Sequence, residues 1–290
     1  SVSSIPFRGL QPREPQRLGY AAWRWRLWFH WQVTGSKNTA LPNTPKNPDT
    51  NVILHDWNCP LTGVKADLIF ADPPYNLAVR YADDPTGDNI GTGAFADKMR
   101  TWMLSIREAA GPGCHVWWLC PSADANWIEN CFLSVFNNLV HRVIWYEPFS
   151  QYQQHDLTND YRVLLHAVVS PREAEFAATP NPDAIREQSE RQRLGDKRAD
   201  PRGRVPGCVW KFRRLQGTST FRVDWHPTQL PPELLTRIVL GWSNKGDTVL
   251  DAFAGSGNMG GVCSSHGRRS VLVDSSPTYC QKMKERLGLG

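Results

Sequence analysis

From residue 51 onward the chain switches between two rhythms: short, mainly apolar blocks, and longer stretches in which apolar residues recur three and four apart. Blocks 51–54, 66–71, 115–120, 247–253 and 270–274 have the length and the β-branched or aromatic content of strands. Stretches 95–110, 126–139, 231–242, 258–266 and 278–287 carry helical spacing, the third opened by prolines where a helix tolerates them. Blocks 142–146 and 161–168 read as two more strands, an antiparallel pair at a sheet edge. Strands alternating with helices predict an α/β fold, a doubly wound and mainly parallel sheet with helices on both faces. Ligands are expected at the carboxyl ends of its strands.

Two stretches break the rhythm. Residues 1–48 scatter Pro and Arg and then run Trp23-Arg24-Trp25-Arg26-Leu27-Trp28-Phe29-His30-Trp31. Such a run can stack on bases and touch phosphates, or it can be a strand or helix docked on the main domain. Residues 170–224 are rich in Pro, Arg and Asp with little periodicity, which predicts an inserted or extended surface region.

Composition narrows the class. A chain of 290 residues with 40% apolar and 21% charged residues suits one large α/β domain and has no room for two enzymes. The net charge of +5 is concentrated: residues 186–222 hold eleven Lys/Arg against four Asp/Glu, so the remainder is slightly acidic. The seven cysteines include no C-x-x-C pair and no regular spacing, which points away from a disulfide framework or zinc site and toward a reducing compartment. No apolar run approaches membrane-spanning length, and the N-terminus lacks a secretory pattern. The expectation is a cytoplasmic protein with no metal and no membrane contact.

The most informative residues are Asp72-Pro73-Pro74-Tyr75, directly after the block 66–71. They are turn formers, but a turn at the end of a buried strand sits where an α/β sheet places its site. The chemistry available there is specific. An amine conjugated to an aromatic ring is a poor nucleophile because its lone pair is delocalised. Acceptors on Asp72 and on the Pro73 carbonyl could bind the amino hydrogens and free that lone pair for attack on a methyl group. The prolines fix the backbone, and Tyr75 offers a flat face for a base taken out of a duplex.

A second signal is Asp251-Ala252-Phe253-Ala254-Gly255-Ser256-Gly257, a strand end followed by small residues and a helix. Small residues let the backbone approach a ligand closely. Asp274, ending the next strand, suits the hydroxyls of a ribose. Neither a third glycine at dinucleotide spacing nor a Gly-Lys-Ser/Thr loop follows, which argues against NAD(P) and nucleoside triphosphates.

Together these motifs resemble the amino-methyltransferases of DNA, in particular the β class, in which D-P-P-Y precedes F-x-G-x-G in a circularly permuted order. Further matches are Trp225-His226-Pro227-Thr228-Gln229-Leu230-Pro231, Leu235-Thr236-Arg237 and Ser243-Asn244-Lys245-Gly246-Asp247 leading into the second motif. The resemblance spans roughly residues 51–287. It implies a Rossmann-like domain over 49–290, with an N-terminal extension (1–48), a catalytic half (49–170), a basic target-recognition region (171–224) and a cofactor half (225–290). It implies S-adenosyl-L-methionine as cofactor, base flipping, and direct in-line transfer to an exocyclic amine. Asp72, Pro73, Pro74 and Tyr75 would handle the base, and Asp251, Phe253, Ala254, Gly255, Ser256 and Gly257 would surround the cofactor. Asp274 would hold the ribose, Asp56 the adenine, and His226 and Thr228 the methionine end. The chain departs from the family in Leu230 for the usual Lys, Ala252 for Pro, and Asn258-Met259 for Thr-Thr.

The implied partner is double-stranded DNA. Arg191, Arg193, Lys197, Arg198, Arg202 and Arg204 suit phosphate contacts, while Lys211, Arg213 and Arg214, near Trp210, could reach bases or backbone. A solvated basic surface is the plain alternative. The resemblance also allows a homodimer and a cognate restriction endonuclease as partners. Asp at position 72 leans toward N6 of adenine over N4 of cytosine. Remoter readings are an RNA or protein-glutamine methyltransferase, in which the cofactor motif normally comes first, and a DNA-binding module that has lost catalysis.

Overall fold

In the computed structural model, residues 49–84, 88–148, 153–169, 179–217, 219 and 221–289 are described, and they belong to one compact unit. The N-terminal Trp/Arg run lies outside them. Eight strands form one sheet: β1 (Thr50–Leu54), β2 (Ala66–Ala71), β3 (Ala110–Pro121), β4 (His141–Tyr146), β5 (Tyr161–Val169), β6 (Val209–Lys211), β7 (Thr248–Asp251) and β8 (Arg269–Asp274). Their spatial order is β1-β8-β7-β2-β3-β5-β4-β6. Every neighbouring pair is parallel except the two that involve β5. Among the described residues six α-helices accompany them: α1 (Thr92–Arg107), α2 (Ala125–Phe136), α3 (Glu190–Arg193), α4 (Pro232–Trp242), α5 (Asn258–His266) and α6 (Pro277–Leu287).

The continuous apolar blocks become central strands because both faces of the sheet are covered. Along β2 and β3, Ile69, Ala71, Val116 and Trp118 pack with Phe95, Met99 and Trp102 of α1 and Phe132 of α2. The residues between them, Leu68, Phe70, Trp117 and Leu119, pack on the opposite face with Leu235 and Trp242 of α4, Met259 of α5 and Met283 of α6. This is the doubly wound arrangement expected from the pattern, and the Rossmann-like fold that the resemblance implies. Among the described residues no helix is long and apolar enough to cross a membrane.

The site follows from connectivity. From β2 the chain passes through α1 to β3, and from β7 it passes through α5 to β8, on opposite faces and in opposite directions along the sheet. Adjacent strands β2 and β7, with Phe70 opposite Asp251, are therefore the switch point, where a crevice opens at the strands' carboxyl ends.

Three details differ from the sequence pattern. The pair β4–β5 is antiparallel as expected, but it does not form the sheet's edge, because β6 pairs with β4 beyond it. β6 comes from the region expected to be surface: Trp210 is buried within 6.0 Å of Trp117 and Trp242, and Ile185 packs beside Gly241. Single apolar residues among Arg and Pro have no period to reveal them. Helix α1 begins and ends three residues before its expected limits, and β3 already starts at Ala110.

Candidate active site

The first turn leaves β2 at Asp72. The Tyr75 hydroxyl donates to Oδ1 of Asp72, and the Arg162 guanidinium lies 5.4 Å from the centre of the Tyr75 ring. Burial pushes the Asp72 carboxyl up to about 6, against the opposing pull of Arg162 and the Tyr75 hydrogen bond. The chain beyond Tyr75 is cross-tied. Asn76 bonds Ile90 through both ends of its amide, at 2.8 and 2.7 Å, and Asp88 accepts from the backbone N–H groups of Asn76 and Val79. Asn76 and Ala78 have φ of 61° and 57°. Asparagine tolerates the left-handed region, whereas alanine is strained there. Asp83 accepts from Ser276 and Thr278 at the start of α6, and the Tyr279 hydroxyl accepts from the Ala82 N–H at 3.0 Å.

The second turn leaves β7 beside the first: the Ala252 N–H donates to the Phe70 carbonyl at 2.9 Å. Asp274 holds this turn, its Oδ2 accepting from the Gly255 N–H and its Oδ1 from the Ser276 N–H, both at 2.9 Å. Gly255 has φ +49°, and a Cβ there would lie 2.4 Å from His226 Nε2. Residue 255 is glycine because both backbone and space exclude a side chain. His226 packs 4.8 Å from the Tyr279 ring, and burial lowers its pKa to about 4, so it is neutral at physiological pH. The segment after it is clipped to α5, with Gln229 donating to the Asn258 Oδ1 and Asn258 donating to the Leu230 carbonyl. Leu230 and Asn258, two of the departures from the family pattern, thus meet in one contact.

Both turns open into a single cavity of about 360 Å³, within the usual size of small-ligand sites. Of the expected residues, Asp56, Asp72, Pro74, His226, Thr228, Asp251, Phe253, Ala254, Gly255, Ser256 and Asp274 line it, while Pro73, Tyr75 and Gly257 do not. Tyr75 instead packs against the apolar cluster on the α4 side of the sheet. Asp56 is exposed and accepts from Asn58. The lining also includes Phe95, Lys98 and Trp102 of α1, with Trp57, Tyr81 and Tyr279. Sequence reasoning missed these six; the five aromatics escaped it because an aromatic on a helix face or beside a strand looks the same whether it meets core or ligand. Trp102 stands 5.3 Å from Phe253, edge to face.

Among the described residues, seven aspartates line the cavity (Asp56, Asp72, Asp83, Asp84, Asp88, Asp251 and Asp274) with Lys98 the one Lys or Arg. That lining suits a cation with an aromatic end. Among the described residues no group of His, Cys, Asp or Glu is set to hold a metal ion. Burial pushes Asp251 furthest, up to about 8. The folded chain holds this proton more tightly than the unfolded one, so the stability linked to it is full below about pH 4 and is lost as pH rises through about 8. Asp251→Asn is expected to stabilise the fold by several kcal/mol, roughly 5 at most, near pH 7.5 and by nothing near pH 4. Thermal melts at the two pH values check this.

None of the nine basic residues expected to touch DNA lines the cavity. Four are paired on the surface: Arg193 with Glu190, Arg198 with Asp196, Arg202 with Asp200, and Arg204 with Glu187. Exposed pairs of this kind are weak and exchangeable. Lys211, in β6, lies 5.9 Å from the Tyr146 ring, and Arg191, Lys197, Arg213 and Arg214 complete the set.

The family model described as DNA methylase, of the N6/N4 type, matches residues 66–285. The chain is 28% identical over 225 residues to the type II methyltransferase M.HpaI of Haemophilus parainfluenzae, covering 76% of this chain and 68% of that protein. It is also 28% identical over 274 residues to the DNA adenine methyltransferase YhdJ of Escherichia coli K12, covering 88% and 86%. The fold matches the solved PvuII DNA methyltransferase, described as cytosine-N4-specific, with a TM-score of 0.57 and 12% identity over 82% of this chain and 88% of that one. With two turns meeting at the switch point of a Rossmann-like sheet and a family model spanning them, the chain belongs to the DNA methylases of the N6-adenine and N4-cytosine type, whose cofactor is S-adenosyl-L-methionine.

Proposed function

We propose that this protein methylates N6 of adenine at specific sites in duplex DNA, as a β-class enzyme acting in the cytoplasm. The observation that carries the reading is the convergence of the Asp72 turn and the Gly255 turn in one cavity. S-adenosyl-L-methionine supplies an electrophilic methyl group on a sulfonium sulfur. The acid-rich wall complements that positive charge, and the Gly255 backbone, Asp274, Asp56 and the Phe253–Trp102 pair would hold its nucleoside. His226 and Thr228 would border its methionine end.

The target base leaves the stack, and its amino hydrogens bond Asp72 and the Pro73 carbonyl, so the nitrogen lone pair can attack in line without a covalent enzyme intermediate. Tyr75 must release Asp72 before its ring can stack on the base. The basic residues between 191 and 214 contact phosphates and groove edges.

The aspartate at position 72 and the likeness to YhdJ, a DNA adenine methyltransferase, along most of both chains favour adenine. Methylation of cytosine N4 is the second reading, favoured by the fold shared with the PvuII enzyme, because one site geometry serves both amines. Nucleoside mass spectrometry of DNA from cells expressing the chain decides between them, and single-molecule sequencing of the same DNA gives the site. N6-methyladenine within one short motif is the expected result. N4-methylcytosine alone would transfer the proposal to the second reading, and no methylated base would end both.

A further inference from the structure

Arg162 and Glu147 belong to neither motif. Arg162 sits near the start of β5, opposite Trp145 of β4 and Pro121 of β3. Glu147 is the residue after β4, with a side chain only 7% exposed, and it accepts from Arg162 Nε at 2.8 Å. A pair that served only the sheet would end there. This guanidinium instead reaches on toward the first turn, 5.4 Å from the Tyr75 ring and 5.8 Å from the Trp145 ring, and its charge acts on Asp72, the acceptor of the Tyr75 hydroxyl. The result is one chain of contacts, Glu147 to Arg162 to Tyr75 to Asp72, crossing from β4 through β5 to the carboxyl end of β2.

We propose that Arg162, oriented by Glu147, is a positioning residue that keeps Asp72 charged and holds the Tyr75 hydroxyl on it until the amine of a target base takes that place. The proposal rests on the reading of Asp72 as the acceptor for that amine. A protonated Asp72 would offer a donor where an acceptor is needed, and its surroundings favour the proton. The carboxyl is half-buried, and the other groups acting on it are Glu147 beyond β4, Asp251 at the end of β7, Tyr75 on its own turn, Tyr81 on the following loop and Cys120 of β3. Arg162 is the cation among them. The Tyr75 hydroxyl donates to Asp72 with this guanidinium beside the ring, and an arriving amine competes for the same carboxylate oxygen.

The test uses the full chain, tritiated S-adenosyl-L-methionine and unmethylated genomic DNA, with single-turnover rates measured between about pH 5.5 and pH 9. Arg162→Met is expected to move the acid limb of the profile up by about one unit, a loss of roughly fivefold near pH 6 that recovers at alkaline pH. Arg162→Lys keeps the charge, and its limb stays near that of the unaltered protein. Glu147→Gln removes an anion, and its limb moves down. A structural pair would give uniform losses in all three, so opposite displacements in Arg162→Met and Glu147→Gln establish the role. Losses flat in pH, or an unmoved limb in Arg162→Met, overturn it. Cofactor titration by calorimetry confirms that each variant is folded. If the unaltered protein puts no methyl on DNA, the functional reading itself fails and takes this inference with it. If it methylates and the limbs coincide, only the inference falls.

Discussion

Asp72→Ala is expected to lower methyl transfer to DNA by about a thousandfold or more while leaving the affinity for S-adenosyl-L-methionine within a few fold. The asymmetry follows from position. Asp72 faces the cavity from the β2 side, whereas the glycine turn and Asp274 that would hold the nucleoside come from β7 and β8. Asp72→Asn keeps one acceptor oxygen but adds a donor and removes the charge, so it should fall between the two. Filter binding of labelled DNA product measures the first quantity, and calorimetry the second. Full activity in the alanine variant would remove Asp72 from the chemistry and leave the Pro73 carbonyl as the acceptor to examine.

The second large effect is expected at Gly255. A methyl group added there would stand 2.4 Å from His226 Nε2, in a backbone conformation of φ +49° that alanine resists. Strain and overpacking together should cost roughly 2 to 4 kcal/mol of stability. Relief requires the turn or the His226 ring to move, and both line the cavity. Gly255→Ala should therefore weaken the cofactor by about a hundredfold, the equivalent of about 2.7 kcal/mol. Adding His226→Ala opens the space without correcting φ, so it should recover part of the melting temperature while cofactor affinity stays low. If Gly255→Ala binds the cofactor normally, this turn is not its cradle.

Much of the architecture was legible because burial on both sides of a sheet leaves a written trace. Leu68 to Ala71 and Val116 to Cys120 are apolar without interruption, and the helices keep their spacing, so fold class and the succession of every strand but β6 followed from pattern alone. The two motifs were legible for a different reason. A proline pair and closely spaced glycines are backbone requirements, and backbone requirements appear as residue types.

Side chains recruited from elsewhere were not legible. Trp102 and Phe95 on α1 have the spacing of core residues and are core residues, yet they also line the cavity. Trp210 and Ile185 lie alone in a polar, arginine-rich stretch, and only their packing on Trp242 and Gly241 shows that this stretch enters the fold. The acidic partners of Arg193, Arg198, Arg202 and Arg204 were visible as composition but not as pairs.

The sequence by itself determined which segments become strands and helices and which residue types could meet an amine and a nucleoside, because local backbone preference and hydrophobic period act over a few neighbouring residues. Only the tertiary structure decided that turns some 180 residues apart lie side by side. That adjacency is made by the pairing of β2 with β7, a contact between distant parts of the chain with no local signature. The same holds for Arg162 and Glu147, ordinary in their own strands, whose reach to Asp72 depends on the neighbours the sheet gives them.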